Sequence, residues 1–93
     1  MQYFEDYAVG QKFTSPCRRR VDAAAITDFA AAYDPQPFHL DAAAAKDSAF
    51  GGLAASGWHT AAMTMRLIVG SAFRPAGGII GFGGELQWLK PVR

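Results

Sequence analysis

The longest stretch of apolar residues in the chain predicts a helix over residues 57–69. Apolar side chains occupy most of its positions on every side, as the sequence GWHTAAMTMRLIV shows. Ser56 can cap the start of this helix and Gly70 can follow its end, since these residue types are favoured at those places. A helix that is apolar nearly all round is normally buried on most sides. We therefore expect other elements of the protein to cover it.

Two further helices are predicted upstream. Residues 23–33 place apolar side chains at the i, i+3, i+4 and i+7 spacing of a buried stripe, and alanine fills most other positions. Asp22 is a suitable N-cap, and Pro35 ends the helix because the residue before a proline is forced out of helical geometry. A shorter helix is expected over residues 42–48, and the sequence FGG at 50–52 stops it.

Alternation of apolar and polar residues predicts two strands. The first covers residues 11–21, and its apolar face consists of Phe13, Cys17 and Val21. The second follows the turn sequence RPAGG, and its apolar positions are Ile80, Phe82, Leu86 and Trp88. Two strands cannot form an independently stable sheet. We therefore expect the sheet that covers the apolar helix to be incomplete in this chain.

Composition narrows the classes of function. The chain has 93 residues, of which 51% are hydrophobic and 18% charged, and its net charge is +1 with neutral histidines. These values predict one small folded domain and give no reason to expect nucleic acid or a membrane as a partner. No apolar run reaches the roughly 18 residues of a membrane span. Because Cys17 is the single cysteine, no internal disulfide can form, and we expect a reducing, cytoplasmic setting.

Candidate chemistry lies in the sequence YDPQPFHLD, directly after the helix over 23–33. Asp34 and His39 would lie about 15 Å apart if the chain between them were extended at about 3.1 Å per residue. A turn is required to bring them together, and DPQP fits a type I turn with Asp34 first and Pro35 second.

The surroundings of this pair predict how it titrates. Asp34 stands at the C-terminal end of a helix and beside aromatic residues, so we expect a raised pKa for its carboxyl group. A histidine exchanges protons readily near neutral pH. Asp34 and His39 could therefore hold one water and move its protons. The alternative is a capped turn beside a structural histidine.

The start of the apolar helix is a second candidate site. The first amides of a helix have no internal partner and carry partial positive charge. With no side chain at Gly57, a ligand oxygen could reach this amide as in an oxyanion hole, beside Ser56. An ordinary cap followed by a small packing residue is the alternative. We expect His59, on the first turn, to pack or to support the site rather than to react.

Taken in order, these segments resemble the MaoC-like dehydratase family, which includes the (R)-specific enoyl-CoA hydratases. The resemblance rests on the stretches FEDYAVGQKF, YDPQPFHLD, AFGG, ASGWHTAAM and LQWLKPVR, and it covers nearly the whole chain. It implies an α+β hotdog fold, in which an antiparallel sheet wraps one long apolar central helix. It also implies a single domain over residues 1–93 that lacks the C-terminal strands expected of the family.

The resemblance implies reversible hydration of a 2-enoyl-CoA or a related unsaturated acyl thioester. Asp34 and His39 match the family's catalytic pair, and Gly57 matches the position whose amide binds the thioester oxygen. Gln36 stands where the family usually has asparagine, and with Ser56 it completes the expected substrate-binding set. Coenzyme A would enter as part of the substrate, so no separate cofactor and no metal are expected. The resemblance also implies a homodimer or a larger homo-oligomer. A non-catalytic acyl-thioester-binding or assembly module and a hotdog thioesterase are the alternatives.

Overall fold

The computed structural model describes residues 2–81 and 83–93. Within them the helices are α1 (Ala23–Tyr33), α2 (Pro37–Leu40), α3 (Ala42–Lys46) and α4 (Gly57–Val69), and a 3-10 turn spans Phe4–Asp6. No helix in this part of the chain has both the length and the apolar character needed to cross a bilayer.

Side-chain caps set where α1 and α4 begin. The carboxylate of Asp22 accepts a hydrogen bond from the Ala25 amide at 2.8 Å. The hydroxyl of Ser56 accepts one from the Trp58 amide at 3.3 Å. Each bond satisfies an amide that the first turn of a helix leaves free. At the other end of α4, the amide of Gly70 donates back to the carbonyl of Arg66. Both helices are confirmed with their predicted bounds.

A helical turn that the sequence did not predict lies between α1 and α3. The predicted type I turn over DPQP is wrong, because Gln36 at its third position is extended, with φ −102° and ψ 144°, whereas a type I turn needs values of about −90° and 0° there. Instead, the Gln36 amide donates to the Asp34 carbonyl at 2.8 Å, and α2 begins at Pro37. Proline suits this first helical position because its φ is already fixed near the helical value. Through this turn the chain buries His39.

A small core forms where the short helices meet α1 and the start of α4. Its buried apolar side chains are Ile26, Ala30, Ala45, Ala54 and Ala55. Across the contact between α1 and α4, the rings of Phe29 and His59 stack with centroids 4.7 Å apart and planes 8° from parallel. The contact fixes the end of α1 relative to the start of α4, and the candidate site lies between those two points.

The predicted sheet is not confirmed. Residues 2–81 and 83–93 form no strand ladder, and one isolated bridge pairs Gln2 with Pro75. The two predicted strand segments contact different ends of α4: Phe13 lies beside Leu67, whereas Trp88 lies against Gly57. They are therefore too far apart along the helix to pair. Phe82, which we placed in the second strand, lies outside the described residues.

The expectation that α4 is covered on most sides is also wrong for this chain. None of the residues of α4 is buried, and Trp58 exposes 65% of its surface. The radius of gyration is 16.4 Å, whereas a compact domain of this length would have about 12 Å. The apolar helix stays accessible because residues 2–81 and 83–93 form no sheet around it.

Candidate active site

The turn after α1 brings the predicted acid–base pair together. Asp34 is the C-cap of α1 and His39 lies on α2, and the distance from His39 Nε2 to Asp34 Oδ2 is 3.3 Å. The side chain of His39 is 6% exposed and that of Asp34 is 19% exposed. Both groups are thus largely withdrawn from solvent, and one small molecule can contact them together.

The backbone fixes the orientation of His39. Its Nδ1 atom lies 2.6 Å from the carbonyl oxygen of Ala54. Because a carbonyl can only accept, we assign the hydrogen to Nδ1, which donates it to Ala54. In the neutral ring Nε2 is then an acceptor, and this is the atom that faces Asp34. The rings of Phe38 and His39 pack edge to face with centroids 4.6 Å apart, and the Phe50 ring lies tilted at 6.1 Å from that of His39.

Asp34 is held from its other oxygen. The amide Nε2 of Gln36 donates to Asp34 Oδ1 at 2.5 Å. Hydrogen bonds from Gln36 and then from the Ser56 hydroxyl lower the pKa of Asp34, whereas desolvation raises it. The charge that His39 carries when it is protonated lowers it further. The predicted raised pKa is therefore wrong, because the donors around the carboxylate outweigh its loss of solvent.

Gly57 is the first residue of α4. Its amide donates to no residue of 2–81 or 83–93, as expected for the first turn of a helix. A Cβ at this position would lie 2.6, 2.7 and 2.9 Å from the Cε2, Nε1 and Cζ2 atoms of Trp88. Those distances are too short for any side chain. With the indole of Trp88 in this position, only glycine fits at position 57.

One cavity of about 370 Å³ joins these groups. Asp34, Gln36, His39 and Gly57 line it on the polar side. Its other walls are mostly apolar, and they include Phe38, Phe50, Trp58, Trp88, Leu89 and Val92. Ser56 does not line the cavity, because it is fully buried behind the surface, where its hydroxyl caps α4 and helps to lower the pKa of Asp34.

Sequence reasoning missed the part of this wall that comes from the end of the chain. The Ala55 amide donates to the Val92 carbonyl at 2.8 Å, and the guanidinium of Arg93 donates to the Phe50 carbonyl at 2.6 Å. These bonds bring Trp88 over the start of α4. No local pattern indicates such contacts between distant segments, although the sequence does show the glycine that accommodates the indole.

His59 packs, as expected, and takes no part in the cavity. Its ring stacks on Phe29, and its buried Nδ1 has no hydrogen-bond partner among the described residues. Burial lowers the pKa of His59 below its ordinary value of 6.5. As for metal ions, no three His, Cys, Asp or Glu side chains of residues 2–81 and 83–93 gather closely enough to hold one.

Comparisons with known proteins show which family the chain is similar to. The family model for the MaoC like domain matches residues 5–93. The crystal structure of the MaoC-like dehydratase from Rhodospirillum rubrum is 61% identical to the chain and superposes with a TM-score of 0.94. The match covers 100% of this chain and 63% of the other, so the chain spans less than two thirds of that relative's length. No curated protein matches the chain. The family model and the whole-chain match confirm the resemblance: the chain belongs to the MaoC-like dehydratase family, a family of hotdog-fold proteins.

Proposed function

We propose that the cavity is the active site of a hydratase that adds water reversibly to a 2-enoyl-CoA or a related unsaturated thioester. One observation carries the proposal: a buried imidazole, a carboxylate and the glycine that begins α4 all line the same cavity. The first two can manage the protons of a water, and the third can bind a carbonyl oxygen. Addition to an alkene conjugated with a carbonyl requires these two capabilities together.

The proposed position of the water is beside the pair, within reach of both acceptors. With Nδ1 of His39 donating to Ala54, its Nε2 accepts, and ionised Asp34 offers Oδ2 beside it. A water that contacts both atoms donates one hydrogen to each, which leaves its oxygen free to attack. As that oxygen bonds to C3 of the substrate, His39 Nε2 takes one proton.

The electrons of the double bond then move toward the thioester. The resulting enolate oxygen accepts a hydrogen bond from the Gly57 amide, at the positive end of the α4 dipole. The protonated His39 returns its proton to C2, which completes the addition and restores the neutral ring. No electron acceptor or further reactant is needed for this balance. Coenzyme A takes part only as the thiol portion of the substrate.

The experiment measures crotonyl-CoA hydration by the purified protein, with free thiol and product followed in parallel. We expect hydration without release of free coenzyme A. His39→Ala is expected to lower kcat by at least about 100-fold, because general acid–base catalysis contributes 10²–10⁴-fold. Lys46→Ala, at an exposed position of α3, is the matched control and should behave as wild type.

The alternatives give different results in the same experiment. Release of free thiol would indicate a thioesterase. Binding of saturated butyryl-CoA with no turnover of crotonyl-CoA would indicate a non-catalytic module. Full activity in a folded His39→Ala protein would show that the pair does not carry the reaction.

A further inference from the structure

The indole of Trp88 lies against the residue whose amide is proposed to bind the thioester oxygen. We propose that Trp88 restricts the substrates to acyl thioesters without a substituent on C2; this inference rests on the proposed function. The ring is so close to Gly57 that an added Cβ would come within 2.6 to 2.9 Å of three of its atoms. The space beside the Cα atom of Gly57 is thus already filled by the indole.

The ring packs against a second indole, and a backbone hydrogen bond anchors the segment that carries it. Trp58 packs against it edge to face, with centroids 6.2 Å apart and planes at 80°. Four residues further along the chain, the Val92 carbonyl accepts the hydrogen bond from the Ala55 amide. That bond ties the segment carrying Trp88 to the residues just before α4. The indole therefore forms a wall of the cavity beside Gly57, with 53% of the surface of Trp88 exposed.

The geometry of a bound thioester relates this wall to C2. A carbonyl oxygen that accepts from the Gly57 amide brings both neighbours of the carbonyl carbon, sulfur and C2, beside the glycine. Sulfur carries the same pantetheine chain in every coenzyme A thioester, so it cannot distinguish one acyl group from another. Substituents on C2 do vary. Contact with Trp88 at the carbonyl can therefore discriminate acyl groups only through C2.

The size of the expected effect follows from the cost of one extra methyl group. A close-packed wall discriminates a single methylene by about 10- to 200-fold. A 2-methyl-2-enoyl thioester should therefore react more slowly than its unbranched counterpart, beyond the difference in their intrinsic reactivities. That intrinsic difference cancels when the ratio of kcat/KM for the two substrates is compared between variants.

The test measures kcat/KM for crotonyl-CoA and 2-methylcrotonyl-CoA with wild type, Trp88→Ala and Trp88→Leu. We expect both substitutions to reduce the preference for crotonyl-CoA by at least about 10-fold, chiefly through faster turnover of the branched substrate. The second substitution keeps an apolar side chain in case alanine impairs folding. Leu89→Ala is the matched control: Leu89 lines the same cavity but is not among the nearest contacts of Gly57.

The possible outcomes distinguish the role of Trp88 from the proposed hydratase function. A preference that stays unchanged in folded Trp88 variants would overturn the role of Trp88 and leave the hydratase intact. An equal loosening of the preference in Leu89→Ala would show that cavity volume in general, and not Trp88, is responsible. Failure of the wild-type protein to hydrate crotonyl-CoA would overturn the proposed function itself and this inference with it.

Discussion

Nε2 of His39 and Oδ2 of Asp34 face each other at 3.3 Å. The second polar atom of each side chain makes a hydrogen bond elsewhere. Nδ1 of His39 bonds to the Ala54 carbonyl, and Oδ1 of Asp34 accepts from the Gln36 amide. The outward bonds orient both groups and leave the facing atoms available. With a neutral imidazole and an ionised carboxylate, both facing atoms are hydrogen-bond acceptors. A molecule that lies beside them and donates one hydrogen to each can therefore bind both.

Removing the charge of Asp34 should therefore abolish most of the activity. In Asp34→Asn an oxygen can still accept from Gln36, so the turn is preserved, but the side chain has lost its negative charge. We expect kcat for crotonyl-CoA hydration to fall at least about 100-fold. Steady-state kinetics with circular dichroism on the same sample checks this. Activity within a factor of about three of wild type in a folded variant would contradict the role of the pair.

Gln36 should control the protonation of Asp34. Its amide is the largest cause of the lowered pKa of Asp34, so Gln36→Ala should raise that pKa toward the ordinary value of 3.8. Carbon-13 NMR of the carboxyl group measures this shift directly. If ionised Asp34 is the active form, the acid limb of kcat/KM should move to higher pH in the same variant. Gln11→Ala removes an exposed amide that does not line the cavity, and both values should stay unchanged in it.

The part of the fold that local chemistry decides was predictable from the sequence. Asp22 and Ser56 cap α1 and α4, and each cap depends on a side chain within three residues of its amide partner. The helical turn at Pro37 was missed because a proline pair reads equally well as a β-turn. The extended backbone of Gln36 distinguishes the two, and the residue types alone do not show it. Strand pairing depends on partners that are distant in sequence. The segments around Phe13 and Trp88 do not pair with each other.

The site, too, was predictable where it depends on local contacts and not where it depends on distant segments. Asp34 and His39 are five residues apart, so their approach needed one turn, and the pattern around the prolines indicated it. The sign of the Asp34 pKa was wrong first because the side chain of Gln36, two residues away, donates to the carboxylate, which the sequence-based argument did not consider. It was wrong also because Ser56 acts from a segment 22 positions away, which no local pattern shows. Trp88 was missed as a wall of the cavity for the same reason: its position depends on bonds between segments remote in sequence.

His59 should make the stability of the protein depend on pH. Burial lowers the pKa of His59 below 6.5, so the unfolded state takes up a proton more readily as the pH falls through that value. Wild type should therefore lose stability from pH 7.5 toward 5.5, and His59→Phe should lose less. Phenylalanine keeps the stack on Phe29 and removes the buried Nδ1 that lacks a partner among the described residues. Urea unfolding across this pH range gives both curves, and parallel curves would refute the prediction.

The contact between Gly57 and Trp88 should appear as an energetic coupling. In Gly57→Ala the new methyl group must displace the indole, whose nearest atom is 2.6 Å from the Cβ position. Overpacking of this kind costs about 1–3 kcal/mol in the free energy of unfolding. In the Trp88→Ala background the methyl group has room, so the same substitution should cost clearly less. Urea unfolding of the two single variants and the double variant completes the cycle, and additive costs would show that the ring does not restrict position 57.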